Sequence, residues 1–248
     1  MTPRPLDNIQ ALVFDVFGTL VDWRSGIASE THAALAAHGV VIDGAAFADA
    51  WRAQYQPSME AVRSGRLPFS KLDALHRRNL DQVLIDLGLD DFPDAARADL
   101  NLAWHRLDAW PDVGTGLARL RERYRLAPCS NGNISLMVDL ARRNGWHWDA
   151  ILGAEIARDY KPKLEVYRHA AAAFDCAPGE VLMVAAHSSD LAAAARAGLR
   201  TAFLARPDEN GRGLGEHEPN VAVDLRVDNL GALADRLSGE VDSRWRLA

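Results

Sequence analysis

Apolar positions follow two different rhythms along this chain, and the change of rhythm divides it. Near the start, Ala11-Leu12-Val13-Phe14 is a continuous apolar run, stopped by Asp15 and then by Gly18-Thr19. Four apolar residues without alternation suit a central parallel strand covered on both faces. From about residue 25 to 107 the spacing turns to threes and fours. Leu72, Leu75, Leu80, Val83, Leu84 and Leu87 put one apolar stripe on a helix, and Gly88 is placed to end it. Val40-Val41-Ile42 is the one candidate strand in this stretch. Beyond Trp110-Pro111-Asp112, short apolar runs and helical patterns alternate. Helices are expected over 116–124, 135–144, 165–174 and 191–197, and strands over 125–129, 151–152, 181–185 and 201–204. Residues 206–221, rich in Gly, Pro and charge, read as a long surface loop before a last strand and helix.

Strands alternating with helices imply an α/β fold, a parallel sheet with helices on both faces. The helical block after the first strand then reads as an inserted cap over 23–108, with the α/β core formed by 1–22 and 109–248. The 248 residues, 48% of them apolar, suffice for a core without disulfides or metals. Two cysteines, Cys129 and Cys176, argue against a disulfide framework and fit a reduced, cytoplasmic setting. With 34 acidic and 28 basic residues the net charge is −6, which argues against nucleic acid as the main partner. No uninterrupted apolar run is long enough for a membrane helix. The first residues, Met1 to Asp7, contain no apolar signal core.

Ligands of an open parallel sheet bind beyond the carboxyl ends of its strands. Four polar interruptions fall there: Asp15 after the first strand, Ser130-Asn131-Gly132-Asn133 after the second core strand, Lys161-Pro162 after the third, and His187-Ser188-Ser189-Asp190 after the fourth. Each also has an ordinary structural use. Asp15 suits a turn or cap, Ser130-Asn131-Gly132 a turn, Lys161 a solvated surface, and Asp190 the cap of the following helix. Together they would bring two carboxylates, a hydroxyl–amide pair and a lysine to one crevice.

This order resembles the haloacid dehalogenase superfamily over nearly the whole chain. Its first motif, an apolar strand followed by Asp-x-x-Gly-Thr-Leu, matches Asp15 to Leu20, and its Ser, Lys and acidic motifs match Ser130, Lys161 and Asp190. The resemblance implies a Rossmann-like core with a helical cap. Most members are phosphohydrolases that carry a second Asp two positions after the first, to protonate the departing alcohol. Here that position is Phe17, and Ala186 replaces a carboxylate of the magnesium motif. The expectation is therefore no metal and no cofactor. A halide, unlike an alkoxide, leaves without a proton. The finer pattern resembles the L-2-haloacid dehalogenase subgroup, with Ser130-Asn131-Gly132 and Lys161-Pro162 through Val166-Tyr167.

By that resemblance Asp15 is the nucleophile of an aspartyl-ester mechanism. Lys161 keeps it ionised. Ser130 and Asn131, with Thr19 and the backbone at Val16 and Phe17, hold the substrate carboxylate. Tyr167 bonds near Lys161, and Asp190 orients or activates water. His187 stands where the subgroup has asparagine, and serves as base or hydrogen-bond donor, or as a tolerated substitution. The subgroup's halide-binding arginine has no counterpart over 38–44; Arg24 is the candidate replacement, with a solvated hinge arginine as the alternative. Trp51, Tyr55 and Met59 either line the pocket from the cap or pack helix against helix. The implied partner is a small halogenated carboxylate, and a homodimer is an assembly the resemblance allows. Rival readings are a phosphohydrolase with degenerate motifs and a non-catalytic anion- or partner-binding relative.

Overall fold

The computed structural model describes residues 6–245, so most of the N-terminal stretch read above for a signal core lies outside it. Strand β1 (Ala11–Phe14) is followed by helices α1 (Trp23–Ala36), α2 (Gly44–Ala53), α3 (Tyr55–Arg63), α4 (Leu72–Asp86) and α5 (Asp94–Asn101), and by a 3-10 turn (Leu102–His105). Alternation then resumes with α6 (Val113–Arg121), β2 (Arg125–Ser130), α7 (Ile134–Asn144), β3 (Leu152–Gly153), α8 (Ala154–Ala157) and α9 (Leu164–Ala172). The chain ends with β4 (Val181–Ala185), α10 (Ser188–Ala197), β5 (Arg200–Leu204), β6 (Leu225–Val227) and α11 (Leu230–Trp245).

The candidate strand at 40–42 does not form. These residues connect α1 to α2, and Val41 is 88% exposed. β-branched residues make a strand only where an edge and an apolar face receive them, and this connection has neither. Local side-chain and backbone signals set one end each of α2 and α10. Asp43 caps α2 by accepting from the Ala45 and Ala46 amides, and Gly198 closes α10 in the left-handed region.

All six strands are parallel, in the order β3-β2-β1-β4-β5-β6. The chain builds one side of β1, then returns to build the other. That reversal opens a crevice at the carboxyl end of β1. Side chains of β1 alternate between the two faces. Leu12 and Phe14 join Leu117, Leu120, Leu136 and Leu233, while Ala11 and Val13 join Val166, Ala170, Leu191 and Ala194. The interior of the helical insert, with Trp51, Met59, Leu80 and Trp104 fully buried, is continuous with the first of these clusters.

Strand β3 is short because it bends away at once. Gly153 pairs with Ser130 and has φ +120, where a Cβ would lie 2.1 Å from the Ser130 carbonyl oxygen. Gly153→Ala is expected to lower stability by about 3 kcal/mol, read as a lower denaturant midpoint at unchanged slope.

Candidate active site

The Asp15 amide donates to the Val184 carbonyl (3.0 Å), which carries the β1–β4 ladder one residue past the strand and fixes the carboxylate at the crevice. The turn after it passes through Gly18 at φ +82 and folds Thr19 back. The Thr19 hydroxyl donates to Asp15 Oδ2 (2.7 Å) and accepts from the Ala186 amide (2.9 Å). Lys161 reaches the same carboxylate from the connection after α8. Its amide donates to Asn131 Oδ1 (2.9 Å), and its carbonyl accepts from Arg63 Nη1 (2.8 Å). With the backbone held at both ends, its ammonium bridges Asp15 Oδ1 (2.8 Å) and Asp190 Oδ2 (2.5 Å). The Tyr167 hydroxyl donates to the other Asp190 oxygen.

A second line of contacts leaves Asp15 on its far side. His187 Nδ1 lies 3.1 Å from Asp15 Oδ2, and Nε2 lies 2.9 and 3.0 Å from the two Glu209 oxygens. Glu209 also accepts from Trp23 Nε1 (3.0 Å) and packs against Gly18, where a Cβ would be 2.0 Å from its Oε1. The absent side chain at Gly18 is what admits this carboxylate.

Burial opposes every charge in this cluster, so the partners decide each ionisation. For Asp15, the Lys161 ammonium and His187 outweigh burial and hold the carboxyl well below the usual range. For Lys161, Asp15 and Asp190 outweigh it and hold the ammonium firmly protonated. Burial pushes Asp190 up, and the Asp15 charge adds to this against the pull of Lys161. Burial lowers His187, but Glu209 and Asp15 overcome it and push the imidazole up to about 10.

The crevice is a cavity of about 370 Å³ lined by Asp15, Phe17, Asn131, Lys161, Pro162, Tyr167, His187, Ser189 and Asp190 from the sheet end, and by Arg52, Tyr55, Gln56 and Arg63 from α2 and α3. The Arg52 guanidinium lies 4.0 Å from the Tyr55 ring centroid, 5.1 Å from Trp23 and 5.9 Å from Phe17. Its Nη1 is buried without a hydrogen-bond partner.

A family model for haloacid dehalogenase-like hydrolases matches residues 9–198. The chain belongs to the haloacid dehalogenase-like hydrolases, in the L-2-haloacid dehalogenase subgroup. An (S)-2-haloacid dehalogenase of Xanthobacter autotrophicus is 31% identical over 201 residues, covering 80% of this chain and 76% of that one. Among solved structures, a defluorinating L-2-haloacid dehalogenase is 43% identical with TM-score 0.90, covering 93% of this chain and 95% of that one. Another L-2-haloacid dehalogenase is 40% identical with TM-score 0.89, covering 93% and 99%.

In this haloacid dehalogenase-like hydrolase the structure brings Asp15, Phe17, Asn131, Lys161, Tyr167, His187 and Asp190 to one cavity. It does not bring Arg24, which forms a two-point ion pair with Asp49 at the surface. Val16 is buried away from the cavity, and Thr19 acts on Asp15 instead of facing a ligand. The Ser130 hydroxyl accepts from the Gly132 amide and stays inside its own turn. Asp190 does not cap a helix, since α10 starts earlier, at Ser188. Of Trp51, Tyr55 and Met59, only Tyr55 reaches the cavity; Trp51 and Met59 are interior packing.

Sequence reasoning missed Arg52, Gln56 and Arg63, although their spacing places them on one side of consecutive helices. It also missed Glu209, which nothing in a charged loop distinguishes. Far from being only surface, that loop buries Arg206 and Glu209.

The donor set does not fit a divalent cation. The Lys161 ammonium stands between the two carboxylates, and Ala186 offers no side-chain oxygen. Among the described residues no group of three or more His, Cys, Asp or Glu side chains is arranged to hold a metal. Two histidines should titrate far apart. NMR is expected to find His187 still an imidazolium at pH 8, with a midpoint near 10, and His76, buried against Trp104, neutral down to about pH 3.

Proposed function

We propose that this protein hydrolyses short 2-haloalkanoic acids, L-2-haloacids and haloacetates among them, through an ester formed on Asp15. The observation that carries this reading is an ionised carboxylate in a small cavity with Phe17 where a proton donor would stand. Lys161, His187, Arg52 and Arg63 face that cavity against Asp15 and Asp190, so the balance favours an anionic substrate. The Asp15 carboxylate displaces the halide at C2. A carbon–oxygen bond forms as the carbon–halogen bond breaks, its electron pair leaves with the halide, and the carbon is inverted. An L-2-haloacid thus gives a D-2-hydroxy acid.

A halide departs as a weak base, so the Phe17 ring costs the reaction nothing. Arg52, with one nitrogen unpaired and aromatic faces around it, is suited to receive that weakly hydrated anion. Asn131 and the backbone beside Phe17 hold the carboxylate of the substrate. Residues 23–108 act as a cap that closes α2 and α3 over the site and excludes bulk water. No helix among the described residues is long and apolar enough to cross a membrane. Two free buried thiols support a cytoplasmic setting.

Chloroacetate and L-2-chloropropionate are expected to release chloride in the presence of EDTA. Asp15→Asn should lower the rate by at least 10⁴-fold, and Arg52→Ala should lower kcat and kcat/KM together by about ten-fold or more. A single turnover in ¹⁸O water should label Asp15. Activity confined to phosphate esters and dependent on added magnesium would overturn the reading.

A further inference from the structure

Breaking the Asp15 ester needs a group that takes a proton from water and later gives one to the departing alkoxide. Asp190 is badly placed for both tasks. One of its oxygens accepts from Lys161 and the other from Tyr167, and its side chain is only 9% exposed. His187 differs in each respect. Its side chain is 27% exposed, toward the cavity, and Nδ1 lies beside the Asp15 carboxyl. Nε2 is held by a Glu209 carboxylate that is itself only 5% exposed and is fixed by Trp23.

We propose that His187 and Glu209 form a dyad for the second half of the reaction, with His187 Nδ1 as the proton-transferring atom and Glu209 as its positioning residue. This rests on the aspartyl-ester reading above. In the free enzyme His187 donates from both nitrogens to two carboxylates and cannot act as a base. Esterification removes the charge of Asp15. His187 then keeps one carboxylate partner, Glu209, and releases its Nδ1 proton to solvent in the cavity.

Because Nε2–H stays on Glu209, the neutral ring has its lone pair at Nδ1, facing the ester. Water gives a proton to Nδ1 as its oxygen bonds to Asp15 Cγ. The tetrahedral species then expels the product oxygen with the pair from the Cγ–O bond, and Nδ1–H protonates it. The second proton of the added water, left on the Asp15 carboxyl, then passes to Nδ1, which restores the Asp15 carboxylate and the imidazolium beside it and frees the hydroxy acid. The charged groups acting on His187 are Asp15 at the end of β1 and Glu209 after β5. Arg52 on α2 acts on Glu209, and Lys161 and Asp190 lie beyond Asp15.

The dyad is testable by separating the two halves with chloroacetate under rapid quench. Wild-type enzyme should turn over repeatedly. In Glu209→Gln an amide can donate to Nε2 and favour the wrong tautomer. That variant should release one chloride per site at a rate within ten-fold of wild type. Its Asp15 adduct, followed by mass spectrometry, should then decay at least 100-fold more slowly. What decay remains should reach its plateau at a pH at least one unit lower, since His187 has lost its last carboxylate. His187→Asn should accumulate the same adduct, and carries the test if the Glu209→Gln protein melts early. Adduct decay at wild-type rates in either folded variant, or an undisplaced pH profile, would overturn the dyad while leaving the ester mechanism standing. A wild-type enzyme that releases no halide would remove both.

Discussion

Lys161 extends its ammonium between Asp15 and Asp190, which approach from the end of β1 and the first turn of α10, and much of the surrounding architecture serves that reach. Two carboxylates taken out of water on one crevice floor repel each other. At about 4 Å and an effective dielectric near 20, that repulsion is roughly 4 kcal/mol. One bridging cation converts it into two attractions, but only if the lysine backbone is held where the side chain can span both. Asn131 supplies one hold and Arg63, from the helical insert, the other. Charge balance at the sheet thus depends on a residue from outside it.

The two departures from the phosphohydrolase pattern fit the same electrostatic arrangement. With Ala186 in place of a metal-binding carboxylate, the lysine can serve as the cation between the remaining acids. With Phe17 in place of a proton-donating acid, the cavity gains an aromatic wall. That ring packs edge-on to Trp104 at 5.6 Å, and Trp104 in turn meets Trp51 and Trp23. Backed by this cluster, the Phe17, Trp23 and Tyr55 rings surround the Arg52 guanidinium. Loss of one acid and placement of one cation are therefore coupled through packing.

Much of this was legible along the chain because strand ends announce themselves. Val181–Ala185 forms as read, and Asp15, Lys161, His187 and Asp190 stand out where apolar runs stop at one sheet edge. The two arginines show the limit. Arg24 follows Trp23 and Arg52 follows Trp51, so their local contexts look alike. Only the packing of α1 against α2 shows that Asp49 claims the first while the second enters the cavity. For Thr19 and Ser130, motif position carries no information on which way a hydroxyl turns, and both turn to protein partners. Glu209 was out of reach for a different reason. Its partners Trp23 and His187 come from distant stretches, and no periodicity marks a loop residue for burial.

The close seat of Glu209 against Gly18 carries a consequence for how this chain tolerates changes in length. Connections between strands are ordinarily where insertions and deletions accumulate. Between Leu204 and Glu209 the connection is instead a ruler. Removing one residue would withdraw the carboxylate by about 3.5 Å, the span of one extended residue. Beyond Glu209 the loop passes through exposed Leu214 and is anchored again at Glu216, which accepts from the Ser188 amide and hydroxyl. One connection therefore carries two anchored carboxylates, and a change of length is absorbed only between them, around Leu214.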